Sequence, residues 1–258
     1  MQPTEKPNKR EPMGDRPNLG NRQAFSSVAD PTSDPHLNGK YLKHNPNWHV
    51  EFSPWKADNI FRFLQQKQLN PQTIGEVGCG AGEVLRQLQL KMDPQCRFWG
   101  YDVAPPAIEM AKTRENERLH FELADFPAIE TPQMDLLLVL EVVGHVEDYM
   151  GFLRAIRNRA EWKIFSFSLD ISMQAALRDG ELLRRREVHS HLHYFNKDIA
   201  LAVLRDTGYE VVDYLYPPTY AHSTLAKAAL PIRKLLFSVN PDLTSRMLGG
   251  YSLLVLAR

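Results

Sequence analysis

Thr73-Ile-Gly-Glu-Val-Gly-Cys-Gly-Ala-Gly82 carries the decisive pattern of this 258-residue chain. The short run Thr73–Val77 reads as a strand, and Gly82–Leu90 as the helix that follows it. Glycines at 78, 80 and 82 let the intervening backbone turn tightly and approach a ligand closely. Open α/β sheets bind ligands beyond the carboxyl ends of their strands, so this loop marks the place of a site.

On either side, apolar runs alternate with segments of helical spacing. Strands are predicted at Arg97–Asp102, Leu119–Leu123, Asp135–Leu140, Lys163–Leu169, Tyr209–Leu215 and Tyr251–Ala257. Asp135–Leu140 is nearly all apolar, as befits a strand buried on both faces. Helices are predicted after Ser53, read as an N-cap with Pro54 at the first helical position, after Pro105-Pro106, over Asp148–Arg159, and after Asn196, with Gly208 ending the last in αL. Such alternation predicts an α/β, Rossmann-like doubly wound sheet of seven mostly parallel strands with helices on both faces. The last two strands lack an ordinary helical crossover, so one is expected to run antiparallel.

The acids around the loop discriminate between ligands. A dinucleotide fingerprint puts glycine at its sixth position, but counting from Gly78 that position is Glu83, whose charge is expected to repel pyrophosphate. Glu76 adds charge at the strand end. Asp102, 20 residues after Gly82, is placed to accept ribose hydroxyls, and Asp125 to meet an adenine amino group with Phe126 beside the ring. An acidic mouth suits S-adenosylmethionine, which carries a sulfonium and an ammonium and no phosphate.

On Glu76–Gly82, the strand ending at Asp102, Ala124-Asp125, Leu140–Asp148, His191–Phe195 and Gly249–Ala257, the chain resembles the class I S-adenosylmethionine-dependent methyltransferases, in particular the group that includes ubiquinone-biosynthesis O-methyltransferases. The resemblance covers residues 41–258. It implies a seven-stranded sheet with the last strand inserted antiparallel, and a cofactor set of Glu76, Gly78, Cys79, Gly80, Gly82, Asp102, Val103, Asp125, Phe126 and Leu140. The ubiquinone enzymes carry Glu-Val-Val-Glu-His after the fourth strand and can hold a divalent metal there. Here Glu141-Val-Val-Gly-His145 lacks the middle acid, too few oxygen ligands for such an ion, so no metal is expected.

Methyl transfer needs the nucleophile held in line and, for a hydroxyl or protonated amine, a proton removed. His145, with Glu141, is the first catalytic candidate, because an imidazole titrates near neutrality; a purely loop-orienting role is the alternative. His189, His191 and His193 alternate and would share one face of an extended segment, where His191 and His193 are expected to line a substrate pocket or serve structure rather than bind zinc. Trp48, His49 and Trp55 are expected over the cofactor as a lid or against the sheet edge. Insertions at 170–195 and 216–248, the second carrying Tyr216, Tyr220 and His222, are expected to shape the pocket, and Arg184-Arg-Arg186 to face water.

The 31 basic residues equal the 31 acidic ones, so no global field attracts nucleic acid, and a small-molecule methyl acceptor is the expected partner. Two cysteines cannot build a disulfide framework, there is no apolar leader, and no apolar run approaches the roughly 20 residues of a membrane span. A cytoplasmic monomer or homodimer is expected. Residues 1–40, with six prolines and eight hydrophobic residues, read as a disordered tail. The expected function is methyl transfer to oxygen or nitrogen of a small molecule. The alternatives are a non-catalytic S-adenosylmethionine-binding regulatory or scaffold protein and a nicotinamide-dependent dehydrogenase.

Overall fold

The computed structural model describes residues 40–218 and 224–258. The expected tail, and Tyr220 and His222, therefore lie outside the described residues, apart from Lys40 at the tail's end. Seven strands form one sheet: β1 (Thr73–Val77), β2 (Arg97–Asp102), β3 (Leu119–Leu123), β4 (Met134–Leu140), β5 (Ala160–Leu169), β6 (Val211–Leu215) and β7 (Tyr251–Ala257). Their order is β3-β2-β1-β4-β5-β7-β6. The first five pair in parallel, whereas β7 runs antiparallel to both β5 and β6, so the inserted last strand is as expected.

The two sides of the sheet are two separate cores, and β4 shows why its sequence is continuously apolar. Leu137 and Val139 enter the cluster that holds Phe152, Phe165, Phe167, Leu204 and Val255. Leu136 and Leu138 enter the opposite cluster, with Ile60, Phe63, Leu85, Phe98 and Ile164. Alternate residues of a strand face opposite ways, so a strand covered on both faces is apolar throughout its buried length, here from Leu136 to Leu140.

The helices are α1 (Lys40–His44), α2 (Ser53–Gln66), α3 (Glu83–Gln89), α4 (Pro105–Lys112), α5 (Tyr149–Ile156), α6 (Met173–Ala176), α7 (Glu181–His189), α8 (Lys197–Asp206), α9 (Thr224–Val239) and α10 (Pro241–Leu248). Asn196 caps α8 by accepting from the Ile199 amide at 2.9 Å, and Gly208 follows it at φ 91°, both as the sequence indicates. Several boundaries differ, three of them for a visible reason. Ser53 is the first residue of α2 rather than its cap, because a 3-10 turn at Val50–Phe52 runs directly into the helix. Strand β5 begins at Ala160, three residues early, since the buried Lys163 sits within it with its ammonium 5.7 Å from the Tyr209 ring. Strand β6 starts at Val211 because Tyr209 turns inward, its hydroxyl donating to the Leu153 carbonyl at 2.7 Å.

Candidate functional site

The ends of β1, β2, β4 and β5 open on a cavity of about 630 Å³. Its floor is the glycine loop. Gly78, Gly80 and Gly82 all have positive φ (70°, 53° and 75°), a region costly for any residue with a Cβ. At Gly82 a Cβ would also overlap the Phe121 ring, with Cε1 2.5 Å away. This glycine therefore lets α3 start against β3 as well as turning the loop.

Asp102 holds the loop in shape. One carboxylate oxygen accepts from the Gly80 amide at 2.8 Å and the other from the Ala104 amide at 2.9 Å. Each oxygen of a carboxylate can accept a second hydrogen bond, which leaves room for sugar hydroxyls. Cys79, Val103, Asp125, Phe126 and Leu140 line the same cavity. Phe126 is buried against Tyr101, ring centroids 4.9 Å apart, with the Arg159 guanidinium 5.0 Å from its centroid.

Glu76 is the most telling side chain. It is 2% exposed, and its Oε2 has no hydrogen-bond partner. Burial, reinforced by Asp102 and opposed by Lys56, pushes its carboxyl up to about 8. A buried carboxyl with an unsatisfied oxygen on a cavity wall fits a cationic ligand group, and the ammonium of S-adenosylmethionine is such a group. Glu83 behaves otherwise. Although burial works against ionisation, hydrogen bonds from Arg86, Gln87 and Arg114 hold its carboxyl down to about 2. Two guanidiniums pair with it, so Glu83 does not present the unpaired charge from which repulsion of pyrophosphate was expected.

Across the cavity stand Tyr41, His49, His145, His189, His191 and Asp170. Glu141 adopts φ 63° at the end of β4 and forms a 2.9 Å ion pair with Lys56. Lys56 draws the Glu141 carboxyl down, and Glu141 draws the lysine up against the effect of its burial. An ammonium of the chain itself thus meets the acid where the resemblance puts metal ligands. Glu141, a catalytic candidate with His145, is thus held by Lys56 in this structure.

His145 Nδ1 lies 3.1 Å from the Ser190 carbonyl, and its ring meets His191 edge-on at 5.0 Å. His191 Nδ1 lies 2.6 Å from Oδ2 of Asp170, a buried acid at the end of β5 that also binds Arg185. The expected shared face of His189, His191 and His193 does not form. Helix α7 extends to His189 and Ser190 takes φ 60°, so the segment is not extended. His189 and His191 face the cavity, whereas His193 turns to the Tyr149 ring at 4.6 Å and the Glu147 carbonyl at 3.1 Å. Burial, then His191 and His49, lower His189 to about 4, so it is neutral at pH 7. Tyr216 also lies outside the cavity lining; its hydroxyl donates to Asp242 at 2.7 Å, tying β6 to α10, while Pro217 and Pro218 line the rim. Trp48, His49 and Trp55 all line the cavity. Arg184 and Arg185 do too, both held by Glu181, rather than simply facing water.

Sequence reasoning missed Lys56, Tyr41 and Asp170. Asp170 had a signal, because it directly follows a parallel strand, much as Asp102 ends one. Lys56 had none: a lysine in the first turn of an amphipathic helix reads as solvated.

Comparison with known proteins agrees with this geometry. Residues 76–161 match a methyltransferase domain family. Nodulation protein S of Bradyrhizobium diazoefficiens is 29% identical over 117 residues, 43% of this chain and 54% of that protein, so the chain spans about half the length of that relative. Among solved structures, a methyltransferase bound to the Trm112 activator of Haloferax volcanii superposes with a TM-score of 0.61 at 14% identity, covering 87% of this chain and 96% of that one. The plantazolicin methyltransferase BpumL with S-adenosylhomocysteine superposes at 0.58 and 14% identity, covering 88% and 91%. Residues 76–161 thus match a methyltransferase domain, and the whole sheet shares the fold of solved S-adenosylmethionine-dependent methyltransferases.

Proposed function

We propose that the chain methylates oxygen or nitrogen of a small molecule held between the glycine loop and the histidine wall, and that His191 takes the acceptor's proton. The observation that carries this reading is the His191–Asp170 pair in the cavity that Glu76 and Asp102 also line. The sulfonium supplies an activated methyl group, so the chain has to bind, orient and deprotonate. Glu76 receives the ammonium, Asp102 the ribose hydroxyls, and Asp125 with Phe126 and Val103 the adenine end. Trp48, His49 and Trp55 cover the cavity and exclude water, which strengthens every electrostatic contact inside it. The segments 170–195 and 216–248 supply the acceptor's side of the pocket.

Asp170 ionised can only accept, so Nδ1 of His191 carries the hydrogen and Nε2 is left to take a proton. The carboxylate then stabilises the imidazolium that forms. His145 Nδ1 meets the Ser190 carbonyl, which fixes its tautomer, and it is assigned to orienting the acceptor. The test is a screen of hydroxylated and amine metabolites with a radiolabelled methyl donor, run on wild type, His191→Gln, Asp170→Asn and His145→Ala. Loss of about 100-fold in kcat for His191→Gln, with cofactor affinity retained, is the expected result. Undiminished turnover in that variant removes His191 as the base; absence of any methylated product favours the non-catalytic alternative.

A further inference from the structure

We infer that Lys56 holds the carboxylate of the cofactor's amino-acid end and makes the site selective for ligands that carry it. The inference rests on the proposed function, which places the ammonium of that end at Glu76. S-adenosylmethionine bears both charges on one carbon atom, so the carboxylate enters wherever the ammonium does. The cavity is walled by Glu76, Asp102, Asp125 and Glu141, and a carboxylate taken in among them is costly unless a cation meets it. The glycine loop has little to offer. The amides of Gly78 and Cys79 donate to the Tyr101 carbonyl, that of Gly80 to Asp102 and that of Gly82 to the Cys79 carbonyl.

Among the described residues that line the cavity, the lysines and arginines are Lys56, Arg184 and Arg185. The two arginines belong to the histidine wall. Both are held by Glu181, and Arg185 also by Asp170, the partner of His191. Lys56 belongs with Glu76. It pairs with Glu141, which directly follows β4, and β4 lies next to the β1 that carries Glu76. Glu76 helps Glu141 hold the Lys56 ammonium up against its burial, and Lys56 opposes the protonation of Glu76. The two side chains therefore supply the neighbouring opposite charges that an α-amino acid group requires.

Its pairing with Glu141 does not exhaust Lys56. A lysine ammonium carries three N–H donors. One of them donates to Oε2 of Glu141 at 2.9 Å, and Lys56 makes no other hydrogen bond or ion pair among the described residues. Its side chain is 22% exposed, so few waters can serve the remaining donors, and a ligand carboxylate in the cavity can. The carrier is rigid as well. Ala57, Ile60, Phe63 and Leu64 anchor α2 in the core beneath the sheet, which holds the ammonium in place before any ligand arrives. Gripped at both charges, the α-carbon of the cofactor would be fixed in orientation, and with it the chain that leads to the sulfonium.

The test is calorimetric titration of the full chain with S-adenosylhomocysteine and with its decarboxylated counterpart, 5′-(3-aminopropyl)thio-5′-deoxyadenosine, which keeps the ammonium and lacks the carboxylate. Wild type is expected to bind S-adenosylhomocysteine about 30-fold more tightly, as a charge-assisted hydrogen bond provides. Lys56→Met is made in a Glu141→Gln background, so that no buried carboxylate is left unpaired. There the lysine substitution is expected to cost about 30-fold for S-adenosylhomocysteine and less than about threefold for the decarboxylated ligand, which uses every other part of the site. Equal losses for the two ligands in a variant that still melts cooperatively, or no loss for either, overturn the inference and leave the Glu76 reading standing. Wild type binding both ligands equally overturns it whether or not the variant folds. Failure of wild type to bind either ligand overturns the inference and the proposed function together.

Discussion

Cofactor binding is expected to expel a proton from Glu76. In the ligand-free protein burial holds this carboxyl up to about 8, so at pH 7 roughly nine molecules in ten carry the proton. The ammonium of the cofactor needs the carboxylate as its partner, so binding at pH 7 is expected to release about 0.9 proton and to be about tenfold weaker than with the carboxylate preformed, roughly 1.4 kcal/mol. Calorimetric titration with S-adenosylhomocysteine, which keeps the ammonium and does not turn over, measures the proton count from heats in buffers of different ionisation enthalpy. The ligand's own α-amino group titrates near pH 8, so the informative range is pH 5.5–7.5, where affinity should rise close to tenfold per unit. Glu76→Gln run in parallel isolates the protein's contribution: affinity falls and the pH dependence disappears. Zero proton release by wild type, or the same release by both proteins, refutes the assignment of the ammonium to Glu76. The sign for stability is opposite. A carboxyl whose folded pKa is raised above its unfolded one stabilises the fold at low pH and loses that contribution as pH rises through about 8. Glu76→Gln is therefore expected to melt higher than wild type at pH 8.5 without ligand.

Two further predictions concern the loop. Gly82→Ala combines a positive-φ penalty with overlap on Phe121, roughly 2–5 kcal/mol together, and is expected to lower the thermal midpoint by at least about 5 °C; trimming Phe121 to Ala in the same chain should restore the part due to overlap. Glu83 is held at about 2 by its partners, so its contribution to stability is present above the unfolded carboxylate range and is lost as pH falls from about 4.5 toward 2. Glu83→Gln is expected to flatten the acid limb of a denaturation-versus-pH series, and an unchanged limb shows that Arg86 and Arg114 contribute little there.

The sheet and the cofactor end of the cavity were legible because each depends on local patterns. Two-sided burial leaves a continuous apolar run at β4, positive φ leaves glycines at 78, 80 and 82, and strand ends place Glu76 and Asp102. The acceptor end was not legible, because it is assembled from α1, α2, α7 and the turn after β5. Lys56 meets Glu141 across 85 residues of sequence, and His191 meets Asp170 across 21. The periodicity argument failed at His193 for a nameable reason: it assumed extended backbone, and the left-handed Ser190 rotates the following residues. The charge argument at Glu83 failed because it counted an acid without its partners Arg86 and Arg114.

The double grip of Asp102 on the amides of Gly80 and Ala104 has a bearing on redesign. The residue that would recognise the sugar is also the clasp that joins two neighbouring turns, so changing it alters recognition and scaffold together. Broadening the enzyme toward sugar-modified cofactor analogues by replacing Asp102 would loosen the cradle that must receive them. Relaxed selectivity is better sought elsewhere on the cavity wall, as at Val103, with Asp102 kept as it is.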